Sequence, residues 1–130
     1  MFKAKAVSSS FSVDDQAKAK DFYTKTMGLD LKDETMGLRL GLPGGGEIFV
    51  YPKDDHQPAT FTILNFVVDD IDAAVKELQD AGVKFEHYDD LGGQKQDENG
   101  IARGIEQKMG PDIAWFKDPA GNVLAVLQEP

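Results

Sequence analysis

The chain has 130 residues, of which 14 are basic and 23 acidic, for a formal net charge of −9, and it contains no cysteine. That length suits one compact domain or two small modules. The lack of cysteine excludes a disulfide scaffold, a thiol nucleophile and thiolate metal sites. The acidic balance argues against nucleic-acid or anionic-membrane partners, and no apolar run reaches the roughly 18 residues of a membrane span; the expectation is a soluble cytoplasmic protein.

The first strand-like run, 4–13, ends in Phe11-Ser12-Val13-Asp14-Asp15. A helical segment follows, with Ala19, Phe22, Tyr23 and Met27 on one face and Gly28 where a left-handed residue ends a helix. Strand candidates lie at about 29–34, 36–42 and 47–52. Then the pattern returns. A run at 60–68 ends in Phe66-Val67-Val68-Asp69-Asp70, 55 residues after the first motif, and Ile71, Ala74, Val75, Leu78 and Ala81 line a second helix closed by Gly82. The paired aspartates before each helix supply N-cap oxygens. Strands are expected at 83–88, 113–117 and 123–128, the last two joined by a type I turn at Asp118-Pro119-Ala120-Gly121. The segment 89–112, with five glycines, is long for a loop, and 101–107 is a candidate short strand within it. The reading is α+β, two tandem β-α-β-β-β modules spanning 1–55 and 56–130, with a boundary in the polar stretch Pro52–Pro58.

Strand alternation divides the faces. Val7, Phe11 and Val13 match the apolar helix faces, whereas Ser8, Ser10 and Ser12 point the other way; the repeat maps Ser8 and Ser10 onto Ile63 and Asn65. Leu38, Leu40 and Leu42 leave Arg39 on the opposite side of their strand. A partly polar concave surface sized for a small molecule is the inference, with Trp115, Phe116, Phe49 and Tyr51 as candidates for an aromatic wall.

Motifs for other chemistry are lacking. His56 and His87 have no histidine partner at helical spacing, the runs Asp54-Asp55, Asp89-Asp90 and Asp97-Glu98 lack calcium-loop spacing, and Gly44-Gly45-Gly46 precedes a strand without the lysine of a phosphate loop.

With Phe11–Asp15, Asp21-Phe22-Tyr23, Gly28-Leu29, Phe66–Asp72, Ala81-Gly82-Val83 and the run Ile113–Leu124 in place, the chain resembles the vicinal oxygen chelate superfamily of glyoxalases, bleomycin-resistance proteins and extradiol dioxygenases. The resemblance implies a curved, open, eight-stranded barrel-like sheet with helices outside, and in metal-dependent members a divalent ion between the modules. It places the ion's ligands at Ser8, Ile63, Ala125 and a position within Ile48–Val50, with Glu47 the nearest carboxylate. Serine, isoleucine and alanine do not ligate such an ion, so no metal, cofactor or catalytic residue is expected. What remains is metal-free binding of a small molecule, such as antibiotic or metabolite sequestration, in a homodimer. The pocket residues expected are Ser8, Ser10, Ile63, Asn65, Phe49, Trp115 and Ala125, with Arg39 and Arg103 as polar anchors. The alternative is a small-molecule enzyme of the lyase, isomerase or dioxygenase type, using Asn65, Arg39 or His87 without metal, or a metal held unconventionally by Glu47 and His87.

Overall fold

The computed structural model describes residues 1–89 and 91–130. It divides into two units, Met1–Pro58 and Ala59–Pro130. The division falls after Pro58, and His56 is tied into the first unit by a 2.7 Å contact between its Nδ1 and Ser12 Oγ.

In the first unit, β1 (Ser9–Val13) leads into α1 (Gln16–Asp21), which continues as a π-helical stretch over Phe22–Thr26. Three strands follow, β2 (Asp30–Glu34), β3 (Gly37–Gly41) and β4 (Glu47–Pro52), and the sheet order is β1-β4-β3-β2. β1 runs parallel to β4, and the other pairs are antiparallel. The strand expected over 4–13 is shorter than its pattern suggested. Ser9 pairs with Ile48 near the start of β4, so the earlier residues have no facing strand, and residues 1–8 are exposed.

Asp15 caps α1 by accepting a hydrogen bond from the Lys18 N–H, and Gly28 ends the helical segment at φ +69°. Tyr23 is fully buried and packs against Phe11 and Phe22, with ring centroids 5.8 and 5.0 Å apart. Phe11, Val13, Leu38, Leu40, Ile48 and Val50 form the buried sheet face beneath α1. Each such side chain contributes about 1.5–3 kcal/mol through burial.

The second unit repeats the plan with β5 (Thr62–Val67), α2 (Ile71–Asp80), β6 (Ala102–Arg103), β7 (Asp112–Lys117) and β8 (Val123–Gln128), in the order β5-β8-β7-β6. β5 is again parallel to β8. Asp70 caps α2 through the Ala73 N–H, the Ile71 N–H donates to Gln128 Oε1, and Gly82 closes the helix at φ +95°. Ile71 and Val75, one turn apart, are buried. The Asp118–Gly121 turn forms as its sequence indicates, with the Gly121 N–H donating to Asp118 O.

One expected strand is nearly absent. The segment 83–88 keeps a single bridge, Phe85 to Phe116, and one further bond from the Glu86 N–H to Trp115 O. The reason is a side chain: Gln96 accepts from the Tyr88 N–H at 2.6 Å and donates to Glu86 O at 2.9 Å, removing both groups from pairing with β7. The start of the β7 edge is taken instead by β6, the short strand expected within 101–107. Among the described residues, no helix is long and apolar enough to cross a membrane.

Candidate functional site

Each sheet has one side toward its helix and one side away from it. In the first unit, strand register sets the away side: Ser10 lies opposite Phe49, and Phe49 opposite Arg39, so the three form one row across β1, β4 and β3. Ser12 and Tyr51 form the next row. Phe49 and Tyr51 are nearly parallel, 15° apart, with centroids 6.1 Å apart. The Arg39 guanidinium carbon lies 5.5 Å from the Phe49 ring centroid, within cation–π range.

Arg39 is also gripped by Glu34. Its Nε and one terminal nitrogen donate to the two carboxylate oxygens at 2.5 and 3.1 Å. These hydrogen bonds hold the Glu34 carboxyl below the usual carboxylate range and push Arg39 upward. Beside the pair lies a shallow groove of about 150 Å³, lined by Asp30, Leu31, Lys32, Arg39, Gly41 and Glu47.

In the second unit the corresponding row is Asn65, Ala125 and Trp115 on β5, β8 and β7. Asn65 is exposed, Trp115 half-buried and Ala125 fully buried. Tyr88 meets Trp115 edge to face, at 5.6 Å and 71°. Burial, and secondarily the charge of Glu86, push the Tyr88 phenol upward.

The expected binding residues therefore fall into two rows, Ser10–Phe49–Arg39 and Asn65–Ala125–Trp115, and three outliers. Ser8 is exposed and precedes β1. Ile63 sits at an irregularity in β5, where the register shifts between Thr62 and Leu64. Arg103 turns to the helix side. It grips Asp72 at the start of α2 with bonds of 2.6 and 3.1 Å, reaches Asp97 at 3.0 Å, and lies 3.7 Å from Asp112. Tyr51, a candidate for the aromatic wall, joins the first face, and Tyr88 and Glu34 join the two faces without having been singled out. Strand parity with Phe49 points to Tyr51, whereas Tyr88 and Glu34 depend on contacts outside any local pattern.

The register also resolves which residue within Ile48–Val50 matches Ala125. Ser10 pairs with Phe49 as its repeat equivalent Asn65 pairs with Ala125, so the position is Phe49. The four donor positions implied by the resemblance are then Ser8, Phe49, Ile63 and Ala125. Their side chains offer one hydroxyl and three hydrocarbon groups, which do not fit a divalent ion. Among the described residues, no three His, Asp or Glu side chains gather in a metal-holding cluster. Asp90, half of the Asp89-Asp90 run, lies outside the described residues.

Comparison with known proteins agrees with this architecture. An antibiotic-binding protein, TnmS3, from Streptomyces sp. CB03234 matches with a TM-score of 0.63 and 27% identity, over 99% of this chain and 100% of that one. A superfamily member from Sphaerobacter thermophilus DSM 20745 matches with a TM-score of 0.66 and 26% identity, over 98% of both chains. The fosfomycin resistance protein FosX from Listeria monocytogenes, at 14% identity, shares the fold, with a TM-score of 0.67 over 99% of this chain and 96% of that one. No curated protein sequence matches. The family model for the Glyoxalase/Bleomycin resistance protein/Dioxygenase superfamily matches residues 7–126, and the chain belongs to that superfamily.

Proposed function

We propose that this protein binds a small organic molecule, an antibiotic or a metabolite, without a metal and without transforming it. The observation that carries the reading is the exchange at the family's donor positions. Phe49 and Ala125 stand where ligands to an ion would be, on sheet faces that also present Tyr51, Arg39, Asn65 and Trp115. Such surfaces suit apolar and aromatic contact with a few orienting polar groups. The 27% identity with an antibiotic-binding protein over the full chain supports the same reading. The net charge of −9 favours a cationic ligand.

The site residues of this reading are Ser8, Ser10, Arg39, Phe49, Ile63, Asn65, Trp115 and Ala125, with Arg103 acting through the segment it anchors. A cytoplasmic homodimer belongs to the same proposal. β1 and β5 are sheet-edge strands, and Phe61 and Val67 in and beside β5 are exposed. Sedimentation equilibrium reads the oligomeric state.

The binding test is isothermal titration with bleomycin and, separately, with proflavine, each with and without EDTA. Saturable binding of at least one, unchanged by EDTA, is expected. Absence of saturable binding by both, or binding abolished by EDTA, overturns the proposal.

A further inference from the structure

The Gln96 side chain draws together three backbone groups from two segments. Its Nε2 donates to Glu86 O at 2.9 Å and Gly100 O at 2.8 Å, and its Oε1 accepts from the Tyr88 N–H at 2.6 Å. Leaving an amide in such a place without partners is costly, and here both of its ends are used. The effect is to take Glu86 O and the Tyr88 N–H away from the β7 ladder and hold Tyr88 beside Trp115. The two rings stand 71° apart with centroids at 5.6 Å, so they form a corner with two aromatic walls. A flat ring laid on one wall meets the other edge-on, and both geometries are favourable between aromatic systems.

Charge of both signs lies near the corner. Glu86 and Asp89 flank the Tyr88 segment; Lys117 lies 3.5 Å from Glu86, and the field of Glu86 reaches the Tyr88 phenol. The electron-rich indole face and the chain's net charge of −9 both favour a positively charged ring.

Resting on the binding function proposed above, we infer that Tyr88 and Trp115 form a subsite for a planar aromatic cation, with Gln96 as the residue that positions Tyr88. The subsite belongs to the second unit and does not use Arg39 or Phe49.

Proflavine titration tests it in four proteins: the parent, Tyr88→Ala, Tyr88→Phe and Gln96→Ala. Y88A is expected to weaken proflavine about tenfold. Y88F keeps the ring and should stay within about twofold, because the ring and not the phenol oxygen makes the contact. Q96A should weaken proflavine several-fold and also diminish the near-ultraviolet circular dichroism of the coupled Tyr88 and Trp115 rings in the ligand-free protein. A merely structural loss would lower Tm without that selective spectral change. The non-aromatic cation cyclohexylammonium should bind at least tenfold more weakly than proflavine.

Proflavine affinity in Y88A equal to that of the parent, or cyclohexylammonium binding as tightly as proflavine, overturns the subsite. If bleomycin binds and proflavine does not, the subsite falls and the wider function stands. If neither binds, both fall.

Discussion

The guanidinium of Arg103 closes a two-point contact on the carboxylate of Asp72, 31 residues earlier, with bonds of 2.6 and 3.1 Å. The contact joins β6, within the long segment before β7, to the first turn of α2. Asp97 adds a third bond at 3.0 Å and itself accepts from the Asn99 and Ile101 N–H groups. The long connection from α2 to β6 is thereby held at its C-terminal end by one forked cation.

Arg103→Ala is therefore expected to destabilise the second unit by about 1–2 kcal/mol, the range for losing a partly exposed ion-pair network. The hydrogen bonds from Arg103 lower the Asp72 carboxyl below its ordinary value. A lowered folded-state value stabilises above the unfolded value and is lost as pH falls through the folded one. The difference between parent and R103A should be full near neutrality and narrow as pH drops below about 4, the ordinary aspartate range. Thermal unfolding across that range reads it; a difference independent of pH would contradict the assignment.

Gly37 and Gly41, at the two ends of β3, make opposite predictions. A Cβ on Gly37 would overlap Val50 O and approach Phe49 Cζ at 2.9 Å, because the Phe49 ring lies across that end of the strand. A Cβ on Gly41 would meet Asp30 Cβ at an ordinary 3.5 Å. Gly37→Ala should cost about 1–3 kcal/mol through overpacking and disturb the Phe49–Tyr51 stack. Gly41→Ala should stay within about 0.5 kcal/mol. Denaturant unfolding of both variants compares them directly.

Much of this was legible in the chain. The 55-residue repeat led to two β-α-β-β-β units, and the alternation of Leu38, Arg39 and Leu40 placed Arg39 opposite the buried face. Aspartate before each helix and glycine after it marked the ends because those are local backbone requirements. What escaped was non-local. The loss of the 83–88 strand depends on Gln96, whose partners come from both sides of a glycine-rich stretch. The direction of Arg103 depends on Asp72, Asp97 and Asp112, from three separate places in the chain. The match of Phe49 to Ala125 needed the observed strand register, since alternation alone left Ile48–Val50 unresolved.

The β7–β8 corner makes a further prediction. Asp118 Oδ1 accepts from the Ala120 and Asn122 N–H groups, Asp118 Oδ2 accepts from Asn122 Nδ2, and Asn122 Oδ1 accepts from the Ala59 N–H. Both side chains are buried, at 4% and 2% exposure, so their hydrogen-bond partners cannot be replaced by bulk water. Asn122→Ala should cost about 2–3 kcal/mol, the expense of stranding buried polar groups. Asn122→Asp should be worse near neutrality, because it sets two carboxylates side by side, and should recover as acid protonates one of them. Stability curves at two pH values test this; an N122D defect that does not ease in acid would argue against carboxylate repulsion.

Ser12 and His56 supply the last prediction. Their 2.7 Å contact returns the segment after β4 to the end of β1, where the Lys53 N–H already donates to Val13 O and the His56 N–H to Lys53 O. Backbone bonds fix the path of the turn, and the side-chain bond fixes where the imidazole lies along the face that carries Tyr51. Because the two groups touch, Ser12→Ala and His56→Ala should not be additive. A double-mutant cycle is expected to show a coupling of about 0.5–1.5 kcal/mol, the net worth of one partly buried hydrogen bond. Additive losses would mean that each side chain acts through separate neighbours and that the imidazole position is set by the turn alone. Coupling of the expected size would make the Ser12–His56 bond the element that holds the polar end of the sheet face carrying Phe49 and Tyr51.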